Sequence, residues 1–357
     1  MKNITMALAA GTVVATACMG ASAQTSSVQL YGVADMGFAH ISNKEGGSLN
    51  AVTSGRLQSS RIGFKGNEDL GRGLSAVFTL ESGIEMDTGT STSSTVFFNR
   101  QAWVGLKSSQ FGTLTLGRQY SPIYDHLVLS SGAPTFGLVG GAVDGIAIPG
   151  SSVGRFDNTI GGSRTDNSIK YTSPDMGGFT ATAMMGLGEV AGDNAAGRTL
   201  SAGVGYAQGP VNAAVTYLER ECKTRGGCAG AEAKDKILAV VGGYNFGFMH
   251  LGAIYTQQRN AKNVKDVDGD VMSVRAVFPV NAWRLSAGYQ VLNDKSARNQ
   301  DVRQFNLGAT YDLSKRSTLY AFYTNQKVSN GGIASMGLVN SSNSRQNQWS
   351  VGMRHTF

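Results

Sequence analysis

The sequence predicts a closed, membrane-embedded barrel of sixteen antiparallel β-strands, an all-β transmembrane fold, on three observations. Segments of period-two alternation recur along nearly the whole chain, as half-buried strands require. Their connections alternate between tight turns and long polar stretches. No apolar run approaches the roughly 18 residues that a membrane-spanning helix needs.

The N-terminus is set apart from this pattern. Met1 and Lys2 precede an apolar run from about Met6 to Met19, and Ala21-Ser22-Ala23 stands before Gln24. Those are the three parts of a secretory signal, so residues 1–23 are excluded and 24–357 form one barrel domain. Loss of Lys2 takes the formal charge from +7 to +6. The 48 Gly and 27 Phe plus Tyr, with only 6 Pro and no collagen period, suit many strands and turns.

Alternating segments lie near 27–41, 59–66, 74–86, 97–107, 112–120, 164–173, 179–189, 199–207, 211–220, 235–245, 249–259, 270–279, 282–293, 302–312, 317–328 and 346–357. Short connections such as SPDMGG, AQGP, FGF, PVN and DLSKRS are rich in turn formers. Between them fall long polar ones, among them HISNKEGGSLNAVTSG, GEVAGDNAAG and SNGGIASMGLVNSSNSR. A soluble sandwich has no reason to alternate in this way, whereas a barrel open to two different compartments does. Closure also leaves no sheet edge to be satisfied in lipid.

The two faces of each strand differ in kind. In the last strand Trp349, Val351, Met353, His355 and Phe357 share one face; in NAWRLSAGYQVLND the set is Trp283, Leu285, Ala287, Tyr289 and Val291; in VRQFNLGATYDL it is Phe305, Leu307, Ala309 and Tyr311. Aromatics near segment ends and small aliphatics between them fit two interfacial girdles facing lipid. The opposite face is polar, as a water-filled lumen requires. Cys222 and Cys228 close a small polar ring in a chain bound for export, which points to a disulfide pinning one loop; two free thiols are the alternative.

The segments SVQLYGVADMGF, SSRIGFKGNEDLGRGLSAVF and RQAWVGLKSSQFGTLTLGRQYSPIYD, together with the terminal Phe357, resemble the trimeric general porins of Gram-negative outer membranes, especially the beta-proteobacterial kind. The resemblance covers the whole mature chain. It implies a homotrimer in the outer membrane, in contact with lipopolysaccharide and lipid, passing ions and small hydrophilic solutes through a lumen narrowed by an infolded third loop. It also implies that Phe357 is read by the barrel-assembly machinery, although His355 stands two residues before it where an aromatic is common. No cofactor, metal or nucleic acid is implied.

The third-loop candidate runs from about 121 to 162, the longest stretch without alternation, and loops of that length are usually functional or disordered. Its Pro134-Thr135-Phe136 matches the tip motif of the family's constriction loop, with Thr135 where a glutamate is typical and Ser131 where a second acid is expected. Asp125, Asp144 and Asp157 remain as acids on this loop. Parity sends Arg61 and Lys65 to the lumen, opposite Ile62 and Phe64, and likewise Lys170, Arg275, Arg284 and Arg354, with Asp35 the clearest acid. On the lipid face each such charge would cost about 2–4 kcal/mol near the midplane. Parity leaves Arg100 undecided and the resemblance turns it inward; Arg155 matches another basic position of the family's constriction. The expected pore is therefore a basic wall with a weakened acidic side, preferring anions weakly; a diffuse basic lining is the alternative. Leu114 and Leu116 point outward and carry Arg118 with them, which the resemblance makes a trimer contact to Glu85 or Asp87 of a neighbour; a snorkelling side chain is the alternative.

Other functions find little footing. His40, His126, His250 and His355 are scattered, and GVGYAQG precedes a proline instead of opening a helix. DVDGD at 266–270 has its glycine misplaced for a calcium loop. A substrate-specific channel would need aromatics inside, where parity places few, and an adhesin would act through its loops.

Overall fold

The computed structural model describes residues 26–126, 164–223, 234–336 and 340–357, with the backbone of Ile146–Ala147 and Arg155–Phe156. Sixteen strands form the wall: β1 (Ser26–Lys44), β2 (Arg61–Gly71), β3 (Leu74–Glu85), β4 (Gln101–Ser108), β5 (Gly112–Tyr120), β6 (Arg164–Thr172), β7 (Phe179–Gly186), β8 (Thr199–Gln208), β9 (Val211–Arg220), β10 (Asp235–Asn245), β11 (His250–Arg259), β12 (Gly269–Val280), β13 (Trp283–Asp294), β14 (Val302–Asp312), β15 (Ser317–Val328) and β16 (Arg345–Thr356). Each pairs antiparallel with its sequence neighbour, and β1 pairs with β16 to close the cylinder.

The closing seam is tight. Its register runs from Val33↔Thr356 to Ile41↔Gln348. Beyond it Gly32 and Phe357 exchange backbone hydrogen bonds at 3.0 and 3.2 Å. The Phe357 ring lies over Gly32, where any Cβ would come within 2.3 Å of it, so the strand opposite the terminal aromatic has no room for a side chain. Around the wall, Val204, Leu307, Tyr289, Trp283 and Trp349 are exposed on the outer face, in agreement with the parity reading.

Four features depart from the sequence expectation. Residues 42–58 are not simply a loop: Gly47–Ser54 is a strand that pairs with the upper half of β1, Met36↔Ser54 to Ile41↔Leu49, while β2 pairs with its lower half, Ser26↔Glu68 to Val33↔Arg61. Polar composition hid the alternation there. The segment 55–60 between them is tied inward by Asp35, which is fully buried. Its carboxylate accepts the N–H groups of Arg56, Leu57 and Gln58 at 3.2, 3.0 and 2.7 Å and the Tyr320 hydroxyl at 2.7 Å. Leu57 thereby packs with Val277, Tyr320 and Phe322 inside the barrel. β4 begins at Gln101, later than the expected 97, because Asn99 is drawn off into bonds with Gly83 and Thr92.

The last two departures concern the lumen face. It is not uniformly polar: Ala214, Leu218, Ile237, Ala239, Val241 and Ile254 form an apolar patch on the inner wall of β9–β11. The patch is covered by Ile123 of α1 (Pro122–Tyr124), the turn that follows β5. Nor are the aromatics all outside, since Tyr31, Tyr120, Tyr320 and Phe322 stand inward as hydrogen-bond partners of charged groups or stacked neighbours.

Asp35→Ala removes the acceptor that holds 55–60. We expect a loss of about 3 kcal/mol or more, since hydrogen bonds to charged groups each contribute roughly 1.5–3 kcal/mol. The midpoint of heat-induced unfolding on semi-native gels should fall, and 55–60 should become protease-sensitive. An unchanged midpoint with full protease resistance would refute the structural role of Asp35.

Candidate functional site: the charged channel wall

Inside the barrel a series of charged and aromatic groups crosses neighbouring strands near the base of the third loop. Arg61 on β2 and Arg100 before β4 flank Glu81 on β3, at 4.0 and 2.6 Å. Tyr31 donates its hydroxyl to the same carboxylate at 2.9 Å. Arg100 reaches on to the Tyr120 hydroxyl at 2.7 Å, and Arg164 donates to that oxygen at 3.1 Å with its guanidinium over the ring. Tyr120 in turn stacks on Tyr124 at 3.8 Å. Arg100 is thus turned inward onto Glu81 and Tyr120, where parity alone did not decide.

Lys170 on β6 faces the lumen, where its ammonium meets the Asp125 carboxylate at 2.8 Å and the Tyr120 carbonyl at 3.0 Å. Burial pushes the Asp125 carboxyl above the usual carboxylate range, with Lys170 opposing the shift. Next to it His126 is buried, its Nε2 3.1 Å from the Thr182 hydroxyl. Burial and the Lys170 charge lower the imidazole from its ordinary value, so it is neutral at pH 7. Gly203 on β8 faces the ring, and a Cβ there would approach His126 to 2.6 Å. Ile123, Asp125 and His126 therefore lay the start of the loop along the inner wall. Farther on, Ile146–Ala147 pairs with Arg155–Phe156, whose backbone comes within 8 Å of β12 between Cα atoms.

The remaining predicted wall residues also face inward. Lys65 holds its ammonium 5.4 Å from the Tyr31 ring centroid, beside a recess of roughly 400 Å³ lined by Arg61, Lys65, Glu81, Gln58 and Arg316. Arg284 makes a two-armed pair with Asp312, and Arg354 donates to Gln58 at 3.2 Å and Thr318 at 3.0 Å. Arg275 is buried. Arg118 leaves the wall outward, as parity required. There it is engaged within its own chain, donating to the Asn99 carbonyl at 2.9 Å and pairing with Asp166.

Beyond Asp35, the acids on the inward strand faces include Glu81, Asp235, Asp294 and Asp312, none of them among the sequence candidates. The parity that placed Arg61 finds each, since Thr79 and Glu81 share the inward face of β3, Asp235 and Ile237 that of β10, Leu292 and Asp294 that of β13, and Thr310 and Asp312 that of β14. Cys222 is disulfide-bonded; Cys228, its expected partner, lies outside the described residues, as do the expected signal segment 1–23, Ser131, Pro134, Thr135, Phe136, Asp144, Asp157 and the side chain of Arg155. Among the described residues no cluster of metal-ligating side chains occurs.

A closed barrel is also the fold of the similar proteins of known structure. The family model described as Gram-negative porin matches residues 7–331. This chain is a Gram-negative porin. It is 30% identical to outer membrane porin protein 32 of Delftia acidovorans, over 96% of this chain and 97% of that one. An outer membrane porin protein of Bordetella pertussis is 27% identical, over 85% and 89%. Among solved structures, an anion-selective porin from Comamonas acidovorans superimposes with a TM-score of 0.77 at 26% identity, over 93% of this chain and all of that one. The porin resides in the outer membrane and forms a water-filled channel for passive diffusion of small solutes.

Glu81→Gln removes the negative charge between Arg61 and Arg100 while keeping an acceptor. A unit charge about 7 Å from an ion's path is worth roughly 0.6 kcal/mol in water, of opposite sign for anions and cations, so the anion-to-cation permeability ratio changes about sevenfold. The zero-current potential at 0.01 M salt should shift toward anions by about that factor and much less at 1 M. A shift toward cations would contradict the placement of Glu81 on the ion's path.

Proposed function

We propose that the porin is a general diffusion pore with a weak preference for small anions. The observation that carries this reading is the excess of lumen cations over acids at the wall: Arg61, Lys65, Arg100, Lys170, Arg220, Arg284 and Arg354 are answered by Glu81, Asp125, Asp235 and Asp312, while Asp294 is taken up by the N–H groups of Ser296 and Gln300. Asp35 is spent on backbone N–H groups and fully enclosed, so it adds little to the field in the channel. Fixed positive charge in a narrow aqueous path concentrates anions and repels cations. The related Comamonas porin, described as anion-selective, adds weight.

The reading gives a direct test. In a salt gradient at low ionic strength the zero-current potential should have the sign of anion preference. Arg61→Ala or Arg100→Ala should each lower the anion-to-cation ratio by up to about sevenfold, and Thr135→Glu at the loop tip should move it toward cations. Clear cation preference in the unmodified protein would sink the assignment.

We further propose a homotrimer in which Arg118 lies at the contact. Its partner Asp166 is well exposed, so the guanidinium is open on one side to an acid of a neighbouring copy, Glu85 or Asp87. Arg118→Ala should lower the temperature at which trimers separate on semi-native gels. An unchanged separation temperature would leave Arg118 as an intrachain clamp only.

A further inference from the structure

The inner face of β12–β16 carries amides where the wall of β2–β6 carries charges. One rung runs through Ser273, Gln290, Gln304, Gln326 and Gln346, each directly opposite the next on the neighbouring strand. With strands about 4.8 Å apart, its four glutamines span roughly 14 Å of wall. The next inward rung toward the tight turns holds Asn306, Thr324 and Gln348, again directly opposite one another. Arg275 ends this second rung, with Gly288 between it and Asn306. No other ionisable side chain stands in either.

The hydrogen bonds of these amides are incomplete. Gln326 donates to Gln304 at 3.0 Å, Gln304 to Asn306 at 3.4 Å and Gln348 to Ser350 at 2.9 Å. The last long loop takes two acceptors, the Ser335 N–H bonding Gln326 at 2.7 Å and the Met336 N–H bonding Gln346 at 3.1 Å. Both ends of the Gln290 amide, Nδ2 of Asn306, Nε2 of Gln346 and Oε1 of Gln348 have no partner. These four residues are 0–3% exposed, and an enclosed amide left unanswered is costly. Three of the unmatched atoms donate and two accept. A carboxylate or phosphate can only accept and an ammonium only donate, whereas a hydroxyl does both.

We propose that the two rungs form a subsite for an uncharged, polyhydroxylated solute of the sugar class, whose hydroxyls answer Gln290, Asn306, Gln346 and Gln348 in both directions. The arginines and lysines of the charged wall only donate, so they cannot do this. Ser335 and Met336, which border the row with one N–H bond each to it, are the segment that yields when the solute enters. The subsite rests on the pore reading, because the solute reaches it through the lumen, and it adds a neutral class beside the anions.

The test records single channels of the purified full-length porin in planar bilayers at 1 M salt, where the screening length is about 3 Å and fixed charges count least. Sucrose should reduce the current along a saturable curve. A polyethylene glycol of the same hydrodynamic radius, which donates only at its ends, should reduce it in proportion to concentration. One net hydrogen bond is worth about fivefold in affinity, so Gln290→Leu and Gln346→Leu should each raise the half-saturating sucrose concentration roughly fivefold. Asn306→Ala, a smaller change one rung away, should do the same and serves if a leucine variant fails to fold. Gln208→Leu, exposed at the tight-turn end of β8, should leave the curve unchanged. A sucrose block as linear as that of the glycol, or a half-saturation unmoved in every row variant that folds, would overturn the subsite while leaving the pore intact. Calorimetric titration of the detergent-solubilised protein with sucrose reads the same site without current, so an unmodified protein that carries no current would refute the pore and leave the subsite to the titration.

Discussion

Everything else in this molecule depends on the meeting of β1 with β16. In hydrocarbon an unpaired N–H or C=O costs several kcal/mol, so a sheet can cross a membrane only if its first and last strands find each other. The two ends of the chain supply that edge. Gly32 gives up its side chain so that Phe357 can lie across the seam, and the exchange of backbone bonds between them finishes the ladder. Once the ring is closed, each strand has an inside and an outside, and period-two alternation acquires a meaning that it lacks in an open sheet.

That meaning is electrostatic on the inside. Charges that would be expelled from lipid are tolerated along a wet wall, but they are not left loose. Glu81 is shared by two arginines and a tyrosine, Tyr120 receives two guanidinium bonds, and Lys170 is set between Asp125 and a carbonyl. Such cross-bracing holds long side chains against the wall and keeps the positive excess fixed in space. A steady field along an open path asks for that more than for tight binding of any one solute.

The infolded segments reuse the same wall in two ways. Asp35 acts as a buried acceptor for three consecutive N–H groups and draws 55–60 inward by polar bonds. Ile123 does the reverse, covering an apolar patch on β9–β11 that would otherwise face water and gaining about 1.5–3 kcal/mol from its burial. One device is directional and sets a conformation; the other is non-directional and supplies adhesion.

The sequence by itself determined the strand count, the two kinds of connection, and the inward direction of Arg61, Lys65, Lys170, Arg284 and Arg354, because strand parity is local and a one-residue slip would reverse every face. It also held the signals for Glu81 and Asp312, which the same parity reveals. Only the tertiary structure decided that 47–54 is strand, that Arg100 turns inward beside Glu81, and that Ile237, Ala239 and Val241 face a loop instead of water. The physical reasons differ. For Arg100 and the patch the partner lies elsewhere along the chain, Glu81 and Tyr120 for Arg100 and Ile123 for the patch, whereas 47–54 folds back on the neighbouring β1 and was hidden by its polar composition. No local period records a contact made across the interior of a closed cylinder.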